Sequence, residues 1–103
     1  MENARPTDKK VWFITGASRG FGLELTRLLL EKGYRVAATT RKLANLVLAA
    51  GRESDRFLPL ETDIVNEDSV RDALAKTVAK FGTLDVVVNN AGYGQFGYVE
   101  EIS

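Results

Sequence analysis

The chain has 103 residues, 45% hydrophobic and 27% charged, which is an ordinary soluble composition with room for one small domain rather than two. Its 14 Lys plus Arg balance its 14 Asp plus Glu, which excludes a nucleic-acid binder relying on bulk positive charge but not a pocket for a single phosphate. With no Cys and no His there are no disulfides, no thiolate metal site and no histidine base, and no apolar run approaches the ~20 residues of a membrane span, so a cytoplasmic location is expected.

Residues 1–10 are polar, hold Pro6, Asp8, Lys9 and Lys10, and lack the apolar core of a secretory signal. They are expected to form a disordered arm ahead of a domain spanning 11–103. Residues 11–15 begin with the apolar run Val11-Trp12-Phe13-Ile14, as in a strand covered on both faces. A helical pattern over 21–32 places Phe21, Leu25, Leu28 and Leu29 on one side, and Gly33 stops it. A second strand is expected over 35–40 and a short helix over 43–50, closed by Gly51. The third strand, 57–60, contains Pro59, which donates no ladder hydrogen bond and therefore suits an edge. Asn66 reads as the N-cap of a helix whose stripe is Val70, Ala73, Leu74, Val78 and Phe81. Glu67 and Asp68 lie at its start and Lys76 and Lys80 near its end, which complements the helix dipole. The fourth strand, 84–88, is followed by a glycine-rich loop leading toward a further helix.

This β-α-β-α-β-α-β alternation predicts an α/β fold: a Rossmann-like doubly wound parallel sheet, order 3-2-1-4, truncated after the fourth strand. The chain direction reverses between strands one and four, so a crevice is expected there, above the turn between the first strand and helix. That turn reads Thr15-Gly16-Ala17-Ser18-Arg19-Gly20-Phe21-Gly22. Glycine admits positive φ and close approach of backbone to a ligand, and the N–H groups of the helix's first turn attract phosphate. A glycine-rich connection that binds nothing fits the turn alone; the strand before it and the helix after it favour phosphate binding.

The spacing Thr15-Gly16-x-x-x-Gly20-x-Gly22 resembles the cofactor loop of the short-chain dehydrogenase/reductase family, and Asn89-Asn90-Ala91-Gly92 resembles its second signature. The similarity runs from about residue 11 to the last. It implies a dinucleotide cofactor held at Gly16, Ser18, Arg19, Gly20, Phe21 and Gly22. Asp63 and Ile64 then lie at the adenine and Asn89, Ala91 and Gly92 along the ribose wall. Asp63 can also cap backbone amides, and in the family the residue matching Asn90 mainly ties strands together.

Nucleotide folds that prefer NAD place an acid at the end of the second strand. Here that end reads Thr39-Thr40-Arg41-Lys42. Thr40 does not repel a 2′-phosphate, and Arg41 can pair with one while Arg19 closes from the other side. NADP(H) is therefore expected over NAD(H), although Arg41 and Lys42 also fit a solvated helix start. The family's Tyr-x-x-x-Lys pair and upstream Ser are not matched: Tyr34, Tyr93 and Tyr98 are followed four residues on by Ala38, Gly97 and Ile102. The expectation is an N-terminal, cofactor-binding fragment of an oxidoreductase, inactive alone, with no catalytic or metal-binding residue of its own. A non-catalytic nucleotide-binding or interaction module is the alternative. A bare fourth-strand edge leads to a further expectation of self-association.

Overall fold

The computed structural model describes residues 9–90 and the backbone of 98–101. Eight elements follow one another: β1 (Val11–Ile14), α1 (Gly20–Glu31), β2 (Arg35–Thr40), α2 (Leu43–Ala50), β3 (Phe57–Glu61), α3 (Glu67–Phe81), β4 (Val86–Asn89) and β5 (Tyr98–Glu101). They build one sheet in the order β3-β2-β1-β4-β5. The first four strands are parallel, so the expected 3-2-1-4 order holds and Pro59 lies on the outer strand β3.

The alternation of side chains along the strands sorts the core onto two faces. On one, Ile14, Val36, Ala38, Phe57, Val86 and Val88 pack with Leu29 of α1 and Leu46 of α2. On the other, Val11, Phe13, Ala37 and Leu58 pack with Ala73 and Phe81 of α3. The opposite rim of the sheet is pinned by polar groups. The Val11 N–H donates to Asp85 Oδ2 at 2.8 Å, and the Asp85 N–H donates to the Val11 carbonyl at 3.0 Å. Arg35 donates to the Phe81 carbonyl at 3.0 Å and to the Lys9 carbonyl at 2.9 Å. Lys9, at the end of the expected arm, donates in turn to the Lys32 carbonyl at 2.9 Å. Residues 1–8 of that arm lie outside the described residues.

Two expectations are corrected. The first concerns α1, whose buried face is Gly22, Thr26 and Leu29, while Phe21 and Leu28 are 63% and 46% exposed. Small residues win the sheet-facing positions because they let the helix approach closely. Thr26 can be buried because its hydroxyl donates to the Gly22 carbonyl at 2.7 Å, leaving no unsatisfied group. Thr77 of α3 does the same with the Ala73 carbonyl at 2.8 Å, whereas Val78 of the expected stripe is exposed.

The second correction concerns the end of the chain. Residues 98–101 form a strand antiparallel to β4, with Val88 opposite Val99 and Val86 opposite Glu101, and not the start of a helix. A short segment barely nucleates a helix, whereas pairing with β4 satisfies backbone groups that would otherwise form an open ladder. The expected bare edge at β4 is therefore absent.

Gly22 fixes how closely α1 approaches the strands. A Cβ there would run into the Gly16 carbonyl oxygen and come within 2.8 Å of Asn90 Nδ2. Gly20 differs: its φ is +62°, but an added Cβ would meet nothing within 4 Å. Gly22→Ala is expected to destabilise the chain by about 2–3 kcal/mol, as overpacking does. Gly20→Ala should cost roughly 1 kcal/mol, from backbone strain alone. Paired urea melts check this order; equal midpoints for the two variants would contradict it. Asn66 accepts hydrogen bonds from the Asp68 and Ser69 N–H groups at 2.9 and 3.1 Å, so Asn66→Ala should cost about 1 kcal/mol in the same assay.

Candidate functional site

Above the C-terminal ends of β1, β2 and β3 lies an open cavity of about 990 Å³. That is the upper end of the range for small-molecule and cofactor sites, roughly 300–1,000 Å³. Its walls come from the ends of those strands and the segments after them: residues within 16–19, 39–45 and 62–65.

The first wall is the glycine turn. The Thr15 N–H donates to the Val88 carbonyl at 3.0 Å and the Ala17 N–H to the Thr39 carbonyl at 2.9 Å, so the turn hangs between β4 and β2. Gly16 and Gly20 adopt φ of +64° and +62°, the left-handed region where a side chain is strained. The Asn90 N–H donates to Thr15 Oγ1 at 2.9 Å and Asn90 Nδ2 to the Gly16 carbonyl at 3.2 Å. Asn90 thus ties the end of β4 to the turn. The Thr15 hydroxyl, within 3.4 Å of Asn89 Oδ1, lies in the same brace.

The three helix starts differ in a way that matters chemically. An α-helix leaves its first N–H groups without intrahelical partners. In α3 the Asn66 side chain and the acidic first turn supply acceptors and negative charge from within the chain. In α2 the Glu61 carboxylate accepts the Leu43 N–H at 3.1 Å. In α1 the cap residue Arg19 makes no side-chain capping bond, and the first turn holds no acid. Its donors and the positive end of its dipole remain for an external anion.

The other walls are cationic and polar. Arg19, Arg41 and Lys42 line the cavity against one carboxylate, Asp63. Among the described residues neither Arg19 nor Arg41 is taken up by an ion pair. Thr40 is buried at the end of β2, its carbonyl accepting the Thr62 N–H at 2.9 Å. Thr39 is fully buried, and its hydroxyl has no hydrogen-bond partner among the described residues. Asp63 lines the cavity, and its Oδ1 accepts the Val65 N–H at 3.2 Å, fixing the loop.

Of the residues singled out from sequence, Gly16, Ser18, Arg19, Thr40, Arg41, Asp63 and Ile64 come together around the cavity. Gly20, Phe21 and Gly22 form the first turn of α1; Gly22 is buried against Gly16, and Phe21 is exposed. Asn89 closes β4 and faces Thr15. Ala91 and Gly92 lie outside the described residues. Sequence reasoning missed Thr39, Asn45, Thr62 and Val65. Asn45 had a usable signal: it lies three residues after Lys42 at the start of a helix, so both side chains share one side.

A dinucleotide fits this arrangement. The open space over Gly20, the uncapped α1 start and the cationic rim suit a pyrophosphate, whereas a cationic ligand would meet three like charges. No cluster of three or more metal-ligating side chains exists among the described residues, and no described helix is long and apolar enough to cross a membrane.

Comparison with known proteins agrees with this geometry. The family model described as short chain dehydrogenase matches residues 10–103. Oxidoreductase BOA17 of Botryotinia fuckeliana is 45% identical over 96 residues, which is 90% of this chain and 34% of that protein. A protein named as a probable NADP-dependent dehydrogenase of Dichelobacter nodosus is 39% identical over 77% of this chain and 74% of its own length. Among solved structures, a 3-ketoacyl-(acyl-carrier-protein) reductase from Brucella melitensis, complexed with NADH, superposes with a TM-score of 0.75 at 38% identity. That match covers 82% of this chain and 35% of the Brucella one, so the chain spans about a third of the length of several proteins it matches. The glycine turn beneath an uncapped helix, the 3-2-1-4 parallel sheet and the match over residues 10–103 together make this chain a member of the short-chain dehydrogenase/reductase family.

Proposed function

We propose that the chain is the dinucleotide-binding portion of an NADP(H)-dependent oxidoreductase. The observation that carries this is the pairing of an α1 start left open to an anion with a cationic rim at the end of β2, where Thr40 is followed by Arg41 and Lys42 and no acid intervenes. The α1 amides and Ser18 hold the pyrophosphate, Arg41 and Arg19 take the 2′-phosphate, and Asp63 with Ile64 borders the adenine. Asn89, Ala91 and Gly92 border the ribose. The nicotinamide supplies or accepts a hydride, and in the whole protein its partner is a carbonyl or alcohol carbon. The 103 residues contain no Tyr-x-x-x-Lys pair, so this chain alone binds without turnover. We place it in the cytoplasm; the self-association expected from a bare β4 edge loses its basis, because β5 pairs there.

NAD(H) is the second candidate, supported by the NADH bound to the Brucella reductase. A single position separates the two coenzymes. A charge-assisted hydrogen bond is worth about 1.5–3 kcal/mol, and exposure of Arg41 reduces that toward the lower end. Arg41→Ala is therefore expected to weaken NADPH binding about tenfold and NADH binding less than about twofold, measured by fluorescence titration at low salt. Equal losses for both coenzymes would reject the 2′-phosphate role. Failure of the unaltered chain to bind either at millimolar concentration would reject dinucleotide binding.

A further inference from the structure

The end of β2 carries no acid, but the fold brings one there from the neighbouring strand. Thr40 and Glu61 are register partners across β2 and β3. From that position the Glu61 carboxylate reaches the start of α2 and accepts the Leu43 N–H at 3.1 Å. The preceding amide is also engaged, since the Lys42 N–H donates to Thr40 Oγ1 at 3.3 Å. The first amide of α2 is thus met by a group of the chain itself, whereas the α1 start across the cavity has no side-chain cap.

The same carboxylate lines a recess of about 360 Å³ together with Arg41, Thr62, Asp63 and Ser69. Arg41, Thr62 and Asp63 also line the main cavity, so the recess opens from it at the residue expected to receive the 2′-phosphate. An anion drawn to Arg41 arrives beside Glu61. Two effects act in the same direction there. The carboxylate attracts the guanidinium toward the recess, and it repels a phosphate that approaches the guanidinium. Neither effect touches a ribose carrying a plain 2′-hydroxyl, which can donate a hydrogen bond to a carboxylate.

Resting on the dinucleotide reading above, we infer that Glu61 is a specificity-determining residue that restrains the preference for NADP(H) over NAD(H) while capping α2. The acid that other nucleotide folds place at the end of β2 is supplied here by β3, across the sheet. Its two duties separate by substitution. Glu61→Gln keeps an oxygen to accept the Leu43 N–H and removes the charge; Glu61→Ala removes both.

The test titrates the chain, E61Q and E61A with NADPH and with NADH, and records a thermal melt of each. E61Q is expected to raise the ratio of NADPH to NADH affinity about two- to fivefold, the size of a partly exposed charge interaction, with its melting temperature kept. E61A should raise the ratio similarly but melt about 4–8 °C lower, from loss of the α2 cap. The rise in ratio should shrink at high salt, because the removed interaction is screened. An unchanged or lower ratio in E61Q, with both coenzymes still bound by the unaltered chain, overturns the assignment of Glu61 alone. Binding of neither coenzyme by the unaltered chain overturns the dinucleotide reading and this one with it.

Discussion

Helix α1 reaches the sheet through a contact only glycine permits. With Gly22 lacking a Cβ, its backbone sits against the Gly16 carbonyl, and Asn90 Nδ2 donates to that same carbonyl. This three-way contact sets where α1 begins, and therefore where its free N–H groups lie relative to β1. A side chain at Gly22 would push the helix start away and tilt those donors off the crevice. The turn's other anchors, Thr15 to Val88 and Ala17 to Thr39, fasten it to the strands on both sides of β1. A phosphate-binding turn must be both tight and rigid, since donors that have to be ordered on binding cost conformational entropy. Here the ordering is built in by bonds that involve no ligand.

The fold also decides which helix start is left to a ligand. All three helices face the same problem of orphaned amides. Asn66 solves it locally for α3, and Glu61 solves it across the sheet for α2. Only α1, among the described helices, is left with an arginine at its cap and no acid in its first turn. For stability alone, an Asp or Ser at that cap would serve better. An uncapped helix start at a topological switch point sacrifices local stability for binding, and that local inconsistency is the kind of departure that marks a site.

Most of the architecture could be read from the chain because it rests on local signals. The apolar strand runs, Pro59 at an edge and the Asn66 cap each state their role within a few residues. What the sequence hid were features made by packing at a distance. Thr26 and Thr77 are polar by type yet lie at 0% exposure, because each hydroxyl bonds one turn back along its own helix. An apolar-stripe search assigns their places to Phe21 and Val78 instead. Tyr98–Glu101 carries no strand signal of its own; its conformation follows from the unpaired edge of β4. At the site, the residues on the glycine turn and at the strand ends were legible through motif spacing, whereas Thr39 and Thr62 became part of it only through the pairing of β1, β2 and β3.

The division of labour across the switch point follows from strand order. Every described residue lining the main cavity ends β2 or follows β1, β2 or β3. The residues ending β4, Asn89 and Asn90, spend their polar groups on Thr15 and Gly16. The β3-β2-β1 side therefore carries the charged groups that line the cavity, and the β4 side carries the brace that holds the glycine turn in place. The charge on the first side is a property of the sheet and not of one loop. Thr40 and Glu61 are far apart in sequence but directly opposed in register, so the net charge at the end of β2 depends on its neighbour. A sequence motif that inspects only the residue after the second strand finds Arg41 and counts one positive charge; the folded chain brings Glu61 into a recess that Arg41 also lines. The charge presented at this end of the sheet is accordingly the sum over two strand ends, and a change in β3 can shift it while the motif itself stays intact.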